Sequence, residues 1–239
     1  MKIAYLLILL FLCTLVKAQT TIRANDPGIR YDLIEPGHFT LKGAVFDNSG
    51  NKMQDFTSDS YITVDKSSKQ IALIRRFFDQ TTHILSLDTS FIGGLPVRMH
   101  SVEQPAHKEL QIKFNPTSIN VKSLIDGEAK DEVYAMKEGY FDDNILVDIM
   151  GYFPIKQGIK YSMEGFRFES VKTKGVSAYE VEYLHDDFLT GANDKQALCK
   201  VIYYKNDYCY GYAWYEKSTG KPLKLLVYIK KIIYLLNFE

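Results

Sequence analysis

Short apolar stretches separated by turn residues recur along most of the chain. They are rich in β-branched and aromatic residues, and their even spacing is typical of antiparallel strands in a sheet, sandwich or barrel. In the first half they are HFTLKGAVF (38–46), SYITV (60–64), QIALIRRFF (70–78), HILSLD (83–88), PVRMHS (96–101), ELQIKF (109–114) and SINVK (118–122). In the second half they are KYSMEGFRFESV (160–171), AYEVEYL (178–184), KVIYY (200–204), YCYGYAWYE (208–216) and PLKLLVYI (222–229).

Two stretches in the second half are assigned differently from these strands. DDFLTGANDKQ (186–196) is rich in turn residues, so we predict a long loop there. KKIIYLLNF (230–238) is apolar enough for a strand, and it either extends the preceding strand or forms a short edge strand.

One stretch has helical rather than strand periodicity. In residues 140–155 the apolar side chains Ile145, Leu146, Ile149 and Met150 recur at helical spacing. An aspartate at 142 or 143 is available as N-cap, a glycine at 151 lies near the C-terminal end, and a proline at 154 stops the helix. We predict one helix of about nine residues that is apolar on one side and therefore packs against a sheet.

A β-hairpin is predicted over residues 199–216, with its turn at Asn206 and Asp207. That register sets Cys199 opposite Trp214 and Cys209 opposite Tyr204. The two cysteines then point to opposite faces of the sheet and cannot form a disulfide. A three-residue turn would place them on one face, although still too far apart to be joined.

One face of this hairpin is a ladder of aromatic side chains, and the other face carries small residues, including Gly211 and Ala213. Either the ladder closes the core, or its hydroxyls and rings bind an apolar or amphipathic ligand, and the two roles are compatible. The candidate ligand-binding residues are Tyr203, Tyr208, Tyr210, Tyr212 and Trp214.

The N-terminal 18 residues have the pattern of a secretion signal. Lys2 precedes an apolar run over residues 3–16, and the small side chain of Ala18 precedes Gln19, where we expect cleavage. The run is too short for a transmembrane helix, and the sequence before Cys13 lacks the small residue that lipid attachment requires. The sequence therefore predicts an extracytoplasmic protein, either periplasmic or secreted.

The remaining composition is that of a globular protein. The whole chain has 29 basic and 29 acidic residues without runs of like charge, which argues against a nucleic-acid partner. We predict a signal peptide over 1–18, an irregular segment over 19–34 and a single β-rich, barrel-like domain over 35–239. A domain boundary near 122–140 is the alternative, because that stretch is more charged than its surroundings.

Motifs of catalysis and metal binding were not found: there is no G-x-S-x-G elbow, no H-E-x-x-H pair and no glycine-rich phosphate loop. The strongest candidate for chemistry is the run His185, Asp186 and Asp187 at a strand end, which is read either as a solvated turn or as a general base. We predict neither a cofactor nor a metal.

Several segments resemble a family of extracytoplasmic bacterial domains of unknown function. The resemblance covers roughly residues 60–230 and rests on DTSFIGGLPVRMHS (88–101), FDDNILVDIMGYFPIKQGIKYSMEGF (141–166), AYEVEY (178–183), KVIYY (200–204) and YGYAWYEKSTGKPLKLLVY (210–228). It implies the open β-barrel of the lipoprotein-localisation carriers, a curved antiparallel sheet whose concave side holds a helix. This chain has one helix where those carriers have several, so the resemblance does not imply lipoprotein transport.

The fold predicted is mainly β (α+β): a curved antiparallel sheet or half-open β-barrel with one short helix packed on it. The function predicted is non-enzymatic binding of a hydrophobic or amphipathic, lipid-like molecule. The alternative is a structural or assembly protein of the cell envelope that acts through contacts with another envelope protein.

Overall fold

A computed structural model describes residues 20–65, 67–68, 70–79, 84–92, 95–104, 107–170, 173–190 and 195–238. The predicted signal peptide lies outside the described residues. Within them, no helix has the length and apolar character needed to cross a membrane.

The described residues form sixteen strands and one α-helix. The first nine strands are β1 (Thr20–Thr21), β2 (Gly37–Asp47), β3 (Lys52–Asp65), β4 (Gln70–Asp79), β5 (Ile84–Ile92), β6 (Leu95–Gln104), β7 (Lys108–Phe114), β8 (Ser118–Ile125) and β9 (Glu128–Ala135). After β10 (Phe141–Asp142) and helix α1 (Asp143–Ile149) come β11 (Lys160–Ser170), β12 (Thr173–Thr190), β13 (Gln196–Lys205), β14 (Cys209–Glu216), β15 (Pro222–Ile229) and β16 (Ile232–Phe238). Short 3₁₀ turns lie at Tyr31–Leu33 and Met150–Tyr152.

All the strands belong to one sheet whose order is not the order of the chain. From one edge it runs β1, β11, β12, β13, β14, β15, β16, and then β2 to β9 in sequence, while β10 pairs with β11. The pairs are antiparallel except those that β1 and β10 make with β11. The sheet is curved and unclosed, which confirms the predicted fold class.

Strand β16 joins the two halves of this sheet. It pairs with β15 on one side and with β2 on the other, and Leu235 lies between Leu226 and Ala44. The prediction that residues 230–238 extend the previous strand or form an edge was therefore wrong. A central position suits this segment because its side chains are apolar on both faces.

Near its two ends the curved sheet is drawn together by aromatic packing. Phe166 of β11 is buried, and its ring centroid lies 5.2 Å from that of Tyr134 in β9 and 6.3 Å from that of Phe114 in β7. These contacts form a small second core beside the main one. Among the described residues the edge strands β1 and β9 do not pair with each other, so the sheet is half-open.

Helix α1 forms where the apolar periodicity predicts it. Asp142 is the N-cap, since its side chain accepts a hydrogen bond from the backbone N–H of Asn144. The helical turn continues as a 3₁₀ turn to Tyr152 and ends before Pro154. The helix buries Ile145, Leu146 and Ile149 in the main core, inside the curve of the sheet.

Some segments differ from their predicted form. Strands β12 and β13 extend into the segment 186–196, which was predicted to be a loop. A register shift between Tyr183 and His185 lets β12 continue, and Asp186, Asp187 and Thr190 pair with β13. Residues 191–194 of the predicted loop lie outside the described residues. The charged stretch near 122–140 contains β9, which pairs with β8.

Candidate functional site

Buried polar contacts fix α1 within the sheet at both of its ends. At the start of the helix, Tyr179 of β12 donates a hydrogen bond to Asp143, and Thr89 of β5 donates one to Asp142 over 2.5 Å. Near its end, the hydroxyl of Tyr215 in β14 donates to the carbonyl of Val147. Three strands from different parts of the chain thereby set the position of the helix.

An ion pair ties the C-terminal end of the helix to β4. Nη2 of Arg75 donates to Oδ1 of Asp148 over 2.6 Å, and Nε of Arg75 donates to the hydroxyl of Ser60 over 3.1 Å. The two side chains of the pair are 9% and 12% exposed. Because both charges are nearly removed from water, their contact offsets part of the cost of burying them.

A cavity of about 300 Å³ lies between α1 and one end of the sheet. Its walls come from α1, from strands β2, β3, β4, β5, β15 and β16, and from the segment before β2. Most of the lining side chains are apolar: Ile34, Phe39, Ile62, Ile71, Leu73, Phe91, Ile145, Ile149, Leu223 and Phe238. We call this space the α1 cavity.

A few polar groups interrupt the apolar lining of the α1 cavity. The carboxylate of Asp148 reaches it from the helix, and Tyr152 reaches it from the 3₁₀ turn that follows. Burial, together with the negative charges of Asp148 and Glu35, raises the pKa of Tyr152 to about 12. The Tyr152 side chain therefore keeps its hydroxyl proton at neutral pH and can donate a hydrogen bond.

The mouth of the α1 cavity is charged. Nζ of Lys221 donates to Oε2 of Glu35 over 3.2 Å, and both side chains are about half or more exposed. An exposed pair of this kind contributes little to stability and rearranges easily. The cavity thus combines an apolar interior with a charged rim, the arrangement found in sites for small amphipathic molecules.

Sequence reasoning did not find the α1 cavity. Its lining comes from segments that lie far apart in the chain, so no contiguous motif marks it. The sequence contains only an indirect indication of the cavity. Four apolar residues lie close to the ends of predicted strands, where turns and polar residues are expected: Phe39, Ile62, Ile71 and Phe238.

The candidate ladder of aromatic residues lies on the other side of the sheet. Ile202, Tyr204, Ala213 and Tyr215 of the hairpin face the main core, whereas Tyr203, Tyr212 and Trp214 face outward with Tyr210, which is 43% exposed. The expectation that the ladder lines the interior was therefore wrong, because the smaller face accommodates the helix. Binding of a ligand by these rings remains a prediction.

Tyr208 is separate from the other ladder residues. It lies in the turn between β13 and β14, where the guanidinium carbon of Arg167 is 4.1 Å from the centre of its ring. The structure therefore brings together four of the five predicted residues: the rings of Tyr203 and Tyr212 are 5.5 Å apart, and Trp214 lies on the same face.

The strand register of the hairpin differs by two residues from the predicted one. Cys199 pairs with Glu216, and Tyr204 pairs with Gly211. The side chain of Asn206 accepts hydrogen bonds from the N–H groups of Tyr208 and Cys209, so it begins the turn rather than occupying its centre. A shift of two residues leaves each side chain on its predicted face.

Both cysteines are present as thiols, one on each face of the hairpin. Cys199 is buried and Cys209 is half-buried, and neither forms a disulfide. Burial raises the pKa of the Cys199 thiol.

The polar run at 185–187 lies within β12 rather than in a solvated turn. Asp186 accepts hydrogen bonds from Lys217, over 2.8 Å, and from Tyr183, and these bonds lower the pKa of Asp186. Asp187 accepts from Nε1 of Trp214 over 3.0 Å, which lowers the pKa of Asp187. His185 is exposed. Across the described ranges, no three His, Cys, Asp or Glu side chains come together as a metal site requires.

Comparison with known proteins identifies a solved structure of similar fold. The chain matches no family model and no curated protein. Among solved structures it is similar to a beta-barrel-like protein of the domain of unknown function DUF1849 from Brucella abortus, with a TM-score of 0.56 and 9% identity over 85% of this chain and 95% of that one.

Two further solved structures match more weakly. The hypothetical lipoprotein YmcC from Escherichia coli has a TM-score of 0.31 and 8% identity over 83% of this chain and 86% of that one. A protein described as exported, with a YmcC-like fold, from Bacteroides fragilis has a TM-score of 0.34 and 9% identity over 86% of this chain and 95% of that one. At TM-scores this low, the similarity supports no conclusion about this chain. The chain shares its fold with the beta-barrel-like protein of unknown function, in agreement with the architecture that the sequence resemblance implies.

Proposed function

We propose that this chain is an extracytoplasmic, non-enzymatic protein that binds a hydrophobic or amphipathic ligand in the α1 cavity. The observation that carries the proposal is the apolar cavity between helix and sheet with an ion pair, Glu35 to Lys221, at its mouth. The extracytoplasmic location is supported by the signal pattern over residues 1–18.

The size and lining of the cavity suit a small apolar group. An engineered cavity of about 150 Å³ with similar apolar walls stays dry and binds benzene. The α1 cavity has about twice that volume, so it can hold a larger ring system or part of an acyl chain. Burial of the apolar part of a ligand supplies the affinity, at about 25 cal/mol per Å² of area removed from water.

The polar groups then decide how the ligand is oriented. The Tyr152 hydroxyl and the Asp148 carboxylate offer a donor and an acceptor inside the cavity. The exposed Lys221 and Glu35 can contact a polar head at the mouth. An amphipathic ligand therefore enters with its apolar part first and leaves its polar head at the rim.

The proposal is tested with 1-aminoanthracene, a neutral fluorescent three-ring probe, titrated into the purified mature chain. Ile62 is half-buried and lines the cavity, so Ile62→Trp fills part of the space without burying a new side chain completely. We expect this variant to bind the probe at least about tenfold more weakly, which corresponds to about 1.4 kcal/mol.

Thr63→Trp is the matched control. It introduces the same side chain one position along β3, on the opposite face and at an exposed site. Unchanged probe binding in this variant, with loss in Ile62→Trp, supports the cavity. Equal binding by both variants contradicts it. Loss of binding in Tyr212→Ala alone would instead assign the site to the outward aromatic ladder.

Native mass spectrometry of protein purified from its bacterial host provides a second measurement. A co-purified small molecule that is present in Thr63→Trp and absent in Ile62→Trp identifies the ligand class directly.

A further inference from the structure

The outward face of five neighbouring strands carries an unusual amount of aromatic and aliphatic surface. Cross-strand pairing places Tyr203, Tyr212, Leu226, Leu235 and Ala44 in one row across β13, β14, β15, β16 and β2. The adjacent row contains Tyr210, Tyr228, Ile233 and Phe46. All of these side chains are at least partly exposed. We call these two rows, together with Trp214, the outer band.

The rings of the outer band are ordered against one another. Tyr210 and Tyr228 are stacked, with ring centroids 4.7 Å apart and planes 4° from parallel. The indole N–H of Trp214 donates to Asp187 of β12, and the ammonium of Lys224 lies 5.0 Å from the centre of the indole ring. The band is therefore a formed surface, to which rings on adjacent strands contribute.

Lysines outnumber acidic residues three to one at the outward positions of these five strands. At the outward positions of these five strands the charged side chains are Lys42, Lys205 and Lys224, with Glu216 at one end of the face. Two more lysines, Lys230 and Lys231, follow in the exposed turn between β15 and β16. Acidic side chains lie on the flanking strands, at Glu180, Glu182 and Asp187 in β12 and at Asp55 and Asp59 in β3, and Asp207 is exposed in the turn between β13 and β14.

Protein surfaces that bind the interface of a lipid bilayer typically combine tyrosine, tryptophan and leucine with surrounding lysines. Aromatic rings with one polar end lie among the headgroups, aliphatic side chains enter the acyl boundary, and lysines extend toward lipid phosphates. We propose that the outer band docks this protein on the surface of an anionic phospholipid bilayer, with Trp214 in the headgroup region.

The alternatives fit the charge pattern less well. Two copies of this chain packed face to face about a two-fold axis would bring the same lysines toward each other, with few acidic partners in between. A protein partner would need an acidic rim around an apolar centre. A bilayer rich in anionic lipid supplies both the charge and the apolar depth, and it imposes no requirement for a matching shape.

Trp214 allows a direct measurement because it is the single tryptophan of the chain. The mature protein is mixed with vesicles of phosphatidylglycerol and phosphatidylethanolamine, and separately with vesicles of phosphatidylcholine alone. We expect Trp214 emission to shift to shorter wavelength with the anionic vesicles only, and to be quenched by lipids brominated on the acyl chain near the headgroup. Raising the salt concentration should weaken binding, because the attraction of exposed charges is screened.

Two variants separate the electrostatic and apolar contributions, with co-sedimentation as the readout. Lys205→Glu/Lys224→Glu should bind anionic vesicles at least about fivefold more weakly, because it reverses two of the charges that face the surface. Tyr212→Ser/Leu226→Ser should weaken binding without removing its salt dependence. The control Lys122→Glu/Lys130→Glu makes an equal charge change at exposed positions on β8 and β9, and should bind like the parent.

The proposal is overturned by unchanged Trp214 emission with anionic vesicles, or by equal loss of binding in the control and Lys205→Glu/Lys224→Glu variants. It is also overturned if sedimentation shows a dimer that Tyr212→Ser/Leu226→Ser dissociates, since a second copy would then cover the band. Thermal unfolding of each variant must match the parent, so that weaker binding reflects the surface rather than the fold. None of these outcomes depends on ligand binding in the α1 cavity.

Discussion

Arg75 on β4 and Asp148 on α1 meet inside the curve of the sheet, 2.6 Å apart and each about one-tenth exposed. The two residues are 73 positions apart in the chain. Asp148 also lines the α1 cavity, so the pair holds in place the helix that forms one of the cavity walls.

The first prediction concerns the cost of breaking that pair. Asp148→Asn removes the negative charge beside Arg75 in a site from which water is largely excluded. We expect the free energy of unfolding in urea to fall by about 3 kcal/mol. The double variant Arg75→Met/Asp148→Leu removes both charges and should lose less than either single variant. If the losses of the single variants Arg75→Met and Asp148→Leu simply add up in the double variant, the two residues are not coupled.

A second prediction follows from the N-cap of the helix. Asp142 is 1% exposed, and burial raises the pKa of its carboxyl despite the hydrogen bonds from Thr89 and Asn144. Because the folded-state pKa is raised, the folded protein binds more protons than the unfolded chain between the unfolded and folded pKa values. The contribution of Asp142 to stability therefore falls as pH rises through that window.

Asp142→Asn tests this linkage. It retains an oxygen that can accept from the N–H of Asn144 and cannot ionise. We expect the stability of Asp142→Asn relative to the parent to improve as pH is raised from the acid range to neutrality, measured by urea unfolding at several pH values. Asp142→Ala provides the control for loss of the cap and should cost about 1 kcal/mol. A difference between parent and Asp142→Asn that does not vary with pH would contradict the linkage.

The third prediction concerns the contact between the end of the helix and the turn before β15. A Cβ added at Gly151 would lie 2.0 Å from the carbonyl oxygen of Gly220 and 2.5 Å from the ring of Tyr215. Gly151→Ala therefore forces helix and turn apart, and we expect a loss of about 3 kcal/mol in the free energy of unfolding. At Gly37 an added Cβ meets nothing within 4 Å, so Gly37→Ala should lie within about 0.5 kcal/mol of the parent.

The fourth prediction addresses the strand that joins the two halves of the sheet. Leu235 lies in β16 between two strands, so its N–H belongs to the sheet on one side or the other. Leu235→Pro removes that donor and should destabilise the protein by about 2 kcal/mol or more, as measured by thermal or urea unfolding.

Val133 in β9 provides the matched proline control. It is 72% exposed on a strand that pairs only with β8, and the backbone N–H of Met136 points toward β8 at Thr117. Because N–H directions alternate along a strand, the N–H of Val133 points away from β8. Val133→Pro should therefore cost much less than Leu235→Pro, and equal losses would contradict a central role for β16.

Features that depend on neighbouring residues were predictable from the sequence. The limits of α1 follow from the spacing of Ile145 and Ile149 and from the N-cap at Asp142, which all lie within one segment. The two faces of the 199–216 hairpin follow from the period of two residues in a strand. The register of that hairpin could not be predicted from turn propensity alone, because the Asn206 side chain accepts two backbone hydrogen bonds and so moves the start of the turn.

Features that depend on distant segments were not predictable. The pairing of β16 with β2 brings together residues that are almost two hundred positions apart. The sequence of neither segment indicates which strand it pairs with. The α1 cavity is missed for the same reason. The outward ladder was assigned to the interior because an aromatic face is a reasonable core face, and only the helix, packed against Ala213 and Tyr215, decides between the two faces.

The place of β16 in the sheet has a consequence for how the protein is made. Of the strands described, β16 is the last to leave the ribosome, and before it does so β2 and β15 each have an edge without its native neighbour. The two half-sheets cannot be joined during most of synthesis, and the pairing that joins them closes one of the longest loops in the molecule. We expect folding to be slow and to follow completion of the chain.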